Sequence, residues 1–213
     1  MQAPGGPDED PTGGFAHGGW VAGYWDEVVN AAMDDQFNEP MDLLLGRRTY
    51  DIFAAHWPHV QMDPAASDFD ALNVNIARLF NGITKYVATH RPQSLAWENS
   101  QGLGADVAAA VRKLKATDGP ILLTQGSTEL LPVLFANDLV DELRLITFPL
   151  VLGRGKRLFG NASMPAAFRL TSSRVTPSGA MIASYERAGE IATGSFAMET
   201  PTDAELERRK GLQ

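Results

Sequence analysis

Ile121-Leu-Leu-Thr-Gln-Gly-Ser-Thr128, followed at once by Glu129-Leu-Leu-Pro-Val-Leu-Phe135, is the stretch from which the fold is read. Its first four residues are apolar or β-prone without alternation, the pattern of a strand covered on both faces. The run breaks at Gln125-Gly126-Ser127-Thr128, and a helical apolar pattern starts directly afterwards. Pro132 stands near the start of that helix, where a missing N–H costs least. A strand, a glycine turn and a helix N-terminus together form an anion site, because free backbone N–H groups and the helix dipole face one point. Gly126 lets a ligand approach the backbone, while Ser127 and Thr128 add hydroxyls or cap the helix. An ordinary strand-to-helix turn has the same pattern, so both readings stay open here.

The 213 residues suffice for one sizeable α/β core. The chain has no Cys, which excludes disulfides and thiolate metal sites and fits a cytosolic protein. No apolar run approaches the length of a membrane span or a secretory signal. A formal charge of −8 and a pI near 5.0 argue against nucleic acid as the main partner. An anionic ligand therefore needs a local basic patch.

Working outward, residues 1–19 are rich in Gly, Pro and acids and read as a flexible lead-in. Residues 20–188 form the domain, and residues 189–213 a polar tail. Helical spacing predicts helices over Tyr24–Phe37, Arg47–Trp57, Asp68–Phe80, Asp106–Lys115 and Glu129–Phe135. Strands are expected at Met41–Gly46, Lys85–His90, Leu95–Trp97, from Ile121, and at Val140–Phe148. Phe168–Arg174 and Ala180–Arg187 flank Thr176-Pro-Ser-Gly179, a hairpin signal. These late strands lack an intervening helix, so the central sheet is expected to be mixed and mostly parallel. Pro201-Thr-Asp-Ala-Glu carries a helix-start signature but little apolar surface, which suggests a mobile tail or a docking arm.

Four clusters each follow an expected strand: Gly46–Thr49, Thr89–Arg91, Gln125–Thr128 and Gly153–Arg157. Ligands of α/β sheets gather outside the carboxyl ends of strands. Cations and a glycine turn at that edge suit a ligand with more than one phosphate, since the planar fork of Arg bonds two oxygens at once. Arg47 and Arg48 open a helix, where each opposes the dipole at a cost of ~0.3–1 kcal/mol. A bound anion accounts for that cost, and so do side chains that simply point to solvent. Gly153-Arg-Gly155 begins like a dinucleotide fingerprint, but Leu158 stands in place of its third glycine. Pro58 between His56 and His59 spoils metal-ligand spacing. Asn161-Ala-Ser163 matches a glycosylation acceptor by chance. No carboxylate pair stands out for acid–base work, so no catalytic residue is assigned.

Leu44-Leu-Gly-Arg-Arg-Thr-Tyr50, Val87-Ala-Thr-His-Arg91, Thr124-Gln-Gly-Ser-Thr128, Leu139-Val-Asp-Glu-Leu143 and Pro149-Leu-Val-Leu-Gly-Arg-Gly155 occur in this order. Together they resemble the dihydrofolate-reductase-like family, in the branch related to the reductase domain of bacterial riboflavin biosynthesis. The resemblance covers roughly Trp20 to Arg187. It implies a three-layer domain with a mixed sheet between helices, commonly a homodimer, that uses NADPH to reduce a small heterocyclic or carbonyl-type substrate. Arg47, Arg48, Thr49, Thr89, His90 and Arg91 would hold the adenosine phosphates. Gln125, Gly126, Ser127 and Thr128 would carry the pyrophosphate, with Gly46, Gly153 and Gly155 in the same cofactor set. Gln125 replaces a glycine usual in the family. Tyr50 and Trp57 are candidates for aromatics lining the substrate pocket, with core packing as their alternative role.

One departure stands out. Family members begin with an apolar strand that lies mid-sheet, whereas Met1 falls inside the turn expected after it. A start codon placed too late is the expectation; a sheet lacking that strand is the alternative. The competing functional expectation is a nucleotide-binding or dimerisation module without catalysis.

Overall fold

Leu43, Leu44 and Leu45 are buried to the last few per cent, which places Met41–Gly46 (β1) at the centre of a sheet. A computed structural model describes residues 2–159, 164–197 and 199–212. β1 pairs in parallel with β2 (Lys85–Ala88) and β4 (Ile121–Leu123), and β2 pairs in parallel with β3 (Ser100–Gly102). The order is β3-β2-β1-β4.

The alternation of a strand sends neighbouring side chains to opposite faces. Met41, Leu43 and Leu45 pack with Tyr50 of α2 (Arg47–Ala54) and Phe80 of α3 (Ala71–Gly82), with Phe37 of α1 (Glu27–Phe37) against them. Leu44 points the other way, to Val111 of α4 (Val107–Lys115) and Leu134 of α5 (Leu131–Ala136). The result is three layers, as the sequence suggested. Asp26, Asp70 and Asp106 start α1, α3 and α4, each accepting from backbone N–H groups of the first turn.

The remaining strands stand apart. β5 (Glu142–Thr147), β6 (Phe168–Val175) and β7 (Met181–Arg187) form an antiparallel sheet of order β5-β7-β6. Among the described residues β4 and β5 each pair on one side only, so the expected mixed sheet is divided in two. The start of α1 is tied to the β6–β7 turn: Ser178 N–H donates to Asp26 Oδ2 at 3.0 Å, and its hydroxyl donates to the Tyr24 carbonyl at 2.7 Å.

Several expectations shift. Leu95–Trp97 is not a strand, because Trp97 turns into the core and its N–H donates to the Tyr50 hydroxyl at 2.9 Å; β3 lies further on. The strand from Lys85 ends at Ala88 rather than His90. α5 begins at Leu131, two residues later than expected, because the Ser127 carbonyl accepts from both Leu130 and Leu131 N–H in a tight turn. The lead-in is ordered: Gln2, Ala3, Asp10 and Phe15 are buried. Its polar residues find partners inside the fold, which composition cannot reveal. The tail carries α6 (Asp203–Lys210), capped by Thr202 and burying nothing. Asn161-Ala-Ser163 and Met1 lie outside the described residues. No helix among them is long and apolar enough to cross a membrane.

Candidate functional site

Gly126 and Ser127 adopt left-handed backbone conformations in succession, with φ of 59° and 56°. Glycine does so freely, whereas a serine must be held there. Two bonds to the segment after β1 hold it. Gly46 N–H donates to Ser127 Oγ at 3.0 Å, and Ser127 N–H donates to Thr49 Oγ1 at 3.0 Å. Ser127 Oγ in turn donates to the Gln125 carbonyl at 3.1 Å. A Cβ on Gly126 would stand 3.4 Å from Thr49 Oγ1, an ordinary contact, so the left-handed φ and not the space is what calls for glycine there.

The cations gather at the same edge. Arg47 extends toward the end of β2, donating through Nη1 to Ser94 Oγ at 2.6 Å and to Thr89 Oγ1 at 3.4 Å, while its Nε pairs with Asp51 at 2.8 Å. Arg91 N–H donates to Thr89 Oγ1 at 3.0 Å. His90 and Arg91 are exposed, and among the described residues neither pairs with a carboxylate. Thr128 follows the turn half-buried.

Arg48 reaches the N-terminal loop instead. It donates to Asp10 Oδ1 at 3.1 Å and to Thr12 Oγ1 at 3.0 Å, and Lys156 Nζ donates to Asp10 Oδ2 at 2.5 Å. Burial pushes the Asp10 carboxyl up, but hydrogen bonds from Lys156 and Thr12 outweigh it and hold the group at about 2. Gln2 is the floor of this loop: its Nε2 donates to the Asp10 and Thr12 carbonyls, and its Oε1 accepts from Lys156 N–H at 3.2 Å. Gly153 and Gly155 lie on the same loop as Lys156 and border, with Gln2 and Phe15, a cavity of about 170 Å³. Gly155 has φ of 133°, and a Cβ there would meet the Phe15 ring at 3.2 Å.

All four clusters thus connect: Gly46–Thr49 to Gln125–Thr128 through Ser127, to Thr89–Arg91 through Arg47, and to Gly153–Arg157 through Arg48, Asp10 and Lys156. Asp10 and Gln2 escaped the sequence reading, because an isolated acid in a Gly/Pro-rich stretch gives no local signal of burial. Tyr50 is in the core, 2% exposed. Trp57 packs edge-on against Phe53 and Phe80. Both belong to the core cluster around Phe80. Asp10, Asp26 and Glu205 are all held in the charged form, Asp26 chiefly because hydrogen bonds from Val29 and Ser178 outweigh burial. None of the three is a proton donor near neutral pH.

The edge brings together a left-handed glycine turn and cations on two flanking segments, groups suited to an anion. The three-layer α/β domain has the dihydrofolate-reductase-like fold. The model of the RibD C-terminal domain matches residues 1–182, and the chain belongs to that family of reductase-like domains. The uncharacterised protein YyaP of Bacillus subtilis is 27% identical over 167 residues, covering 76% of this chain and 85% of the relative. A Shewanella sp. PV-4 protein assigned provisionally to riboflavin biosynthesis shares the fold, with a TM-score of 0.52 at 20% identity over 77% of this chain and 81% of the other. A pyrimidine-reductase-like protein of Corynebacterium diphtheriae is 12% identical, with a TM-score of 0.48 over 78% and 84% of the two chains.

Proposed function

We propose that this protein is an NADPH-dependent reductase that acts on a small heterocyclic or carbonyl-type substrate. The observation carrying the reading is the left-handed Gly126–Ser127 turn, stapled to the start of α2 at an edge supplied with Arg47, Arg48, His90 and Arg91. Bound there, the nicotinamide cofactor would supply the hydride. The chain's own groups bind and orient. The free backbone N–H groups of Gln125, Gly126 and Thr128 would face the diphosphate, the Ser127 amide being held by Thr49 Oγ1, and Arg47, Arg48 and Arg91 would face the phosphate of the adenosine end. Gly46, Thr49 and Thr89 hold those groups in place, and Gly153 and Gly155 shape the facing loop. A homodimer in the cytoplasm belongs to the same proposal; β6 presents exposed Leu170 and Val175 for such a contact.

The test is a calorimetric titration of NADPH and NADH, followed by absorbance of the reduced cofactor with a panel of heterocyclic carbonyl compounds. Tight NADPH binding with turnover supports the reading. Binding without turnover on any compound moves the assignment to a catalytically silent nucleotide-binding module. No binding by the folded protein overturns both.

A further inference from the structure

Arg91 stands just past the end of β2 with its backbone fixed on several sides. Its N–H donates to Thr89 Oγ1 at 3.0 Å. Its carbonyl accepts from Ser94 N–H at 3.1 Å, from Ser94 Oγ at 2.8 Å and from Arg47 Nη1 at 3.4 Å. Pro92 opens the short turn Pro92–Ser94, where its ring fixes φ. The turn also leans on β3: a Cβ on Gly102 would meet Pro92 Cβ at 2.8 Å, so glycine there lets the strand lie against it. The side chain of Arg91, by contrast, is exposed, and among the described residues it pairs with no carboxylate.

Ser94 is the hub of this arrangement. Its hydroxyl accepts from Arg47 Nη1 at 2.6 Å while it donates to the Arg91 carbonyl. Asp51 takes Nε of the same arginine through both oxygens, at 2.8 and 3.0 Å. Arg47 is therefore held from its own helix on one side and from the turn on the other. Tyr50, one turn along α2, accepts the Trp97 N–H at 2.9 Å. Arg47 and Tyr50 thus grip residues 91–97 at both ends.

Stability does not account for the Ser94 bridge. Ser94 is exposed, and water replaces a lost surface hydrogen bond at little cost. An exposed pair such as Arg47 with Asp51 contributes little, and holding a long side chain still costs rotamer entropy. Such ordering is useful where the fixed groups meet a ligand, because a site already in its bound geometry loses less freedom on binding. What the network leaves free is the Arg91 cation, projecting beside Arg47 from a backbone held in place.

We propose that Ser94 is a positioning residue for the phosphate of the adenosine end: by bridging Arg47 to the Arg91 carbonyl it presents the Arg91 guanidinium, and so sets the preference for NADPH over NADH. The effect runs through Arg91 and needs no contact between Ser94 and the cofactor. The proposal rests on the nucleotide reading above, and titration of the wild type separates the two.

The experiment is calorimetry with NADPH and with NADH on the wild type, Ser94→Ala, Ser94→Thr, Arg91→Ala and the Ser94→Ala/Arg91→Ala pair, together with hydrogen exchange of the cofactor-free protein. Ser94→Ala is expected to raise the NADPH Kd about fivefold and to leave the NADH Kd within about twofold. Exchange of the Arg91 amide is expected to quicken about tenfold in the same variant. Ser94→Thr keeps the hydroxyl and is expected to bind NADPH as the wild type does. Once Arg91 is Ala, replacing Ser94 is expected to add no further loss. Equal losses for the two cofactors mean a purely structural role and overturn the proposal. A loss of the same size without Arg91 overturns it as well, since Ser94 then acts on the phosphate by another route. Unchanged NADPH binding or unchanged Arg91 exchange in Ser94→Ala overturns it while the nucleotide reading stands. A folded wild type that binds neither cofactor overturns both.

Discussion

The Ser127 amide donates to the Thr49 hydroxyl at 3.0 Å across 78 positions of sequence, and so ties the turn after β4 to the helix after β1. Gly46 N–H completes the staple on Ser127 Oγ and is buried. Ser127→Ala leaves that amide without its acceptor, at an expected cost of ~1–3 kcal/mol. Thr49→Val removes the acceptor of the Ser127 amide at a similar cost. Urea unfolding checks both, and the double variant is expected to lose less than the sum because the bonds support one turn.

Gly126→Val forces a β-branched residue to a φ of 59° with its Cβ 3.4 Å from Thr49 Oγ1. The strain is ~1–3 kcal/mol. Circular dichroism is expected to show a folded protein that no longer binds NADPH in calorimetry. Retained affinity would remove the turn from the cofactor site.

Arg47→Ala combined with Arg48→Ala is expected to weaken NADPH binding by about tenfold or more while changing NADH binding far less. The reason is that only NADPH carries the extra phosphate these guanidiniums would grip. An equal loss for the two cofactors sinks that role and leaves both arginines as ties, Arg47 to Ser94 and Arg48 to Asp10.

Asp10 gives the N-terminal loop an acid limit. Its carboxyl lies at about 2 in the fold, below the ordinary 3.8. A depressed carboxylate contributes stability that is fully present above the ordinary value and is lost as pH falls toward the folded value. Trp20, which donates to the Gln2 carbonyl of this loop, reports its release. Its emission is expected to change between about pH 4 and pH 2, and Asp10→Asn is expected to abolish that transition while weakening the loop at neutral pH.

Lys85 is a buried cation on β2 whose Nζ donates to the Phe80 and Asn81 carbonyls and stands 4.4 Å from the Trp97 ring. Burial pulls it down to about 8, against the opposing pull of Glu98 and Asp42. For a base held below its unfolded value the sign reverses: the penalty is complete below the folded value and relieved as pH rises toward the unfolded one. Stability from this group is therefore expected to rise between about pH 8 and pH 10.5. Lys85→Met removes that rise and leaves the end of α3 short of donors, at ~1–3 kcal/mol. Denaturant melts at several pH values measure both effects.

Much of this was legible in the sequence. The uninterrupted Leu43–Leu45 run, the Gln125–Thr128 break and the acidic start of the helix at Asp106 act within a few residues of themselves, so the string already contains their physics. The four clusters were legible for the same reason, since each follows a strand. Trp97 was misread because a short apolar run does not say whether it pairs or turns inward; the Tyr50 hydroxyl, 47 positions away, decided it.

The sequence by itself determined the layers, the glycine break after the strand and the clusters of cations, because periodicity, glycine geometry and helix polarity are short-range properties. Only the tertiary structure decided what each cation meets. Lys156 and Asp10 lie 146 positions apart, and no local pattern announces their pairing or the burial of Gln2 beneath them. It also decided that β4 and β5 belong to separate sheets. Strand pairing depends on which distant edges meet, and a strand's own residues record only that it is a strand.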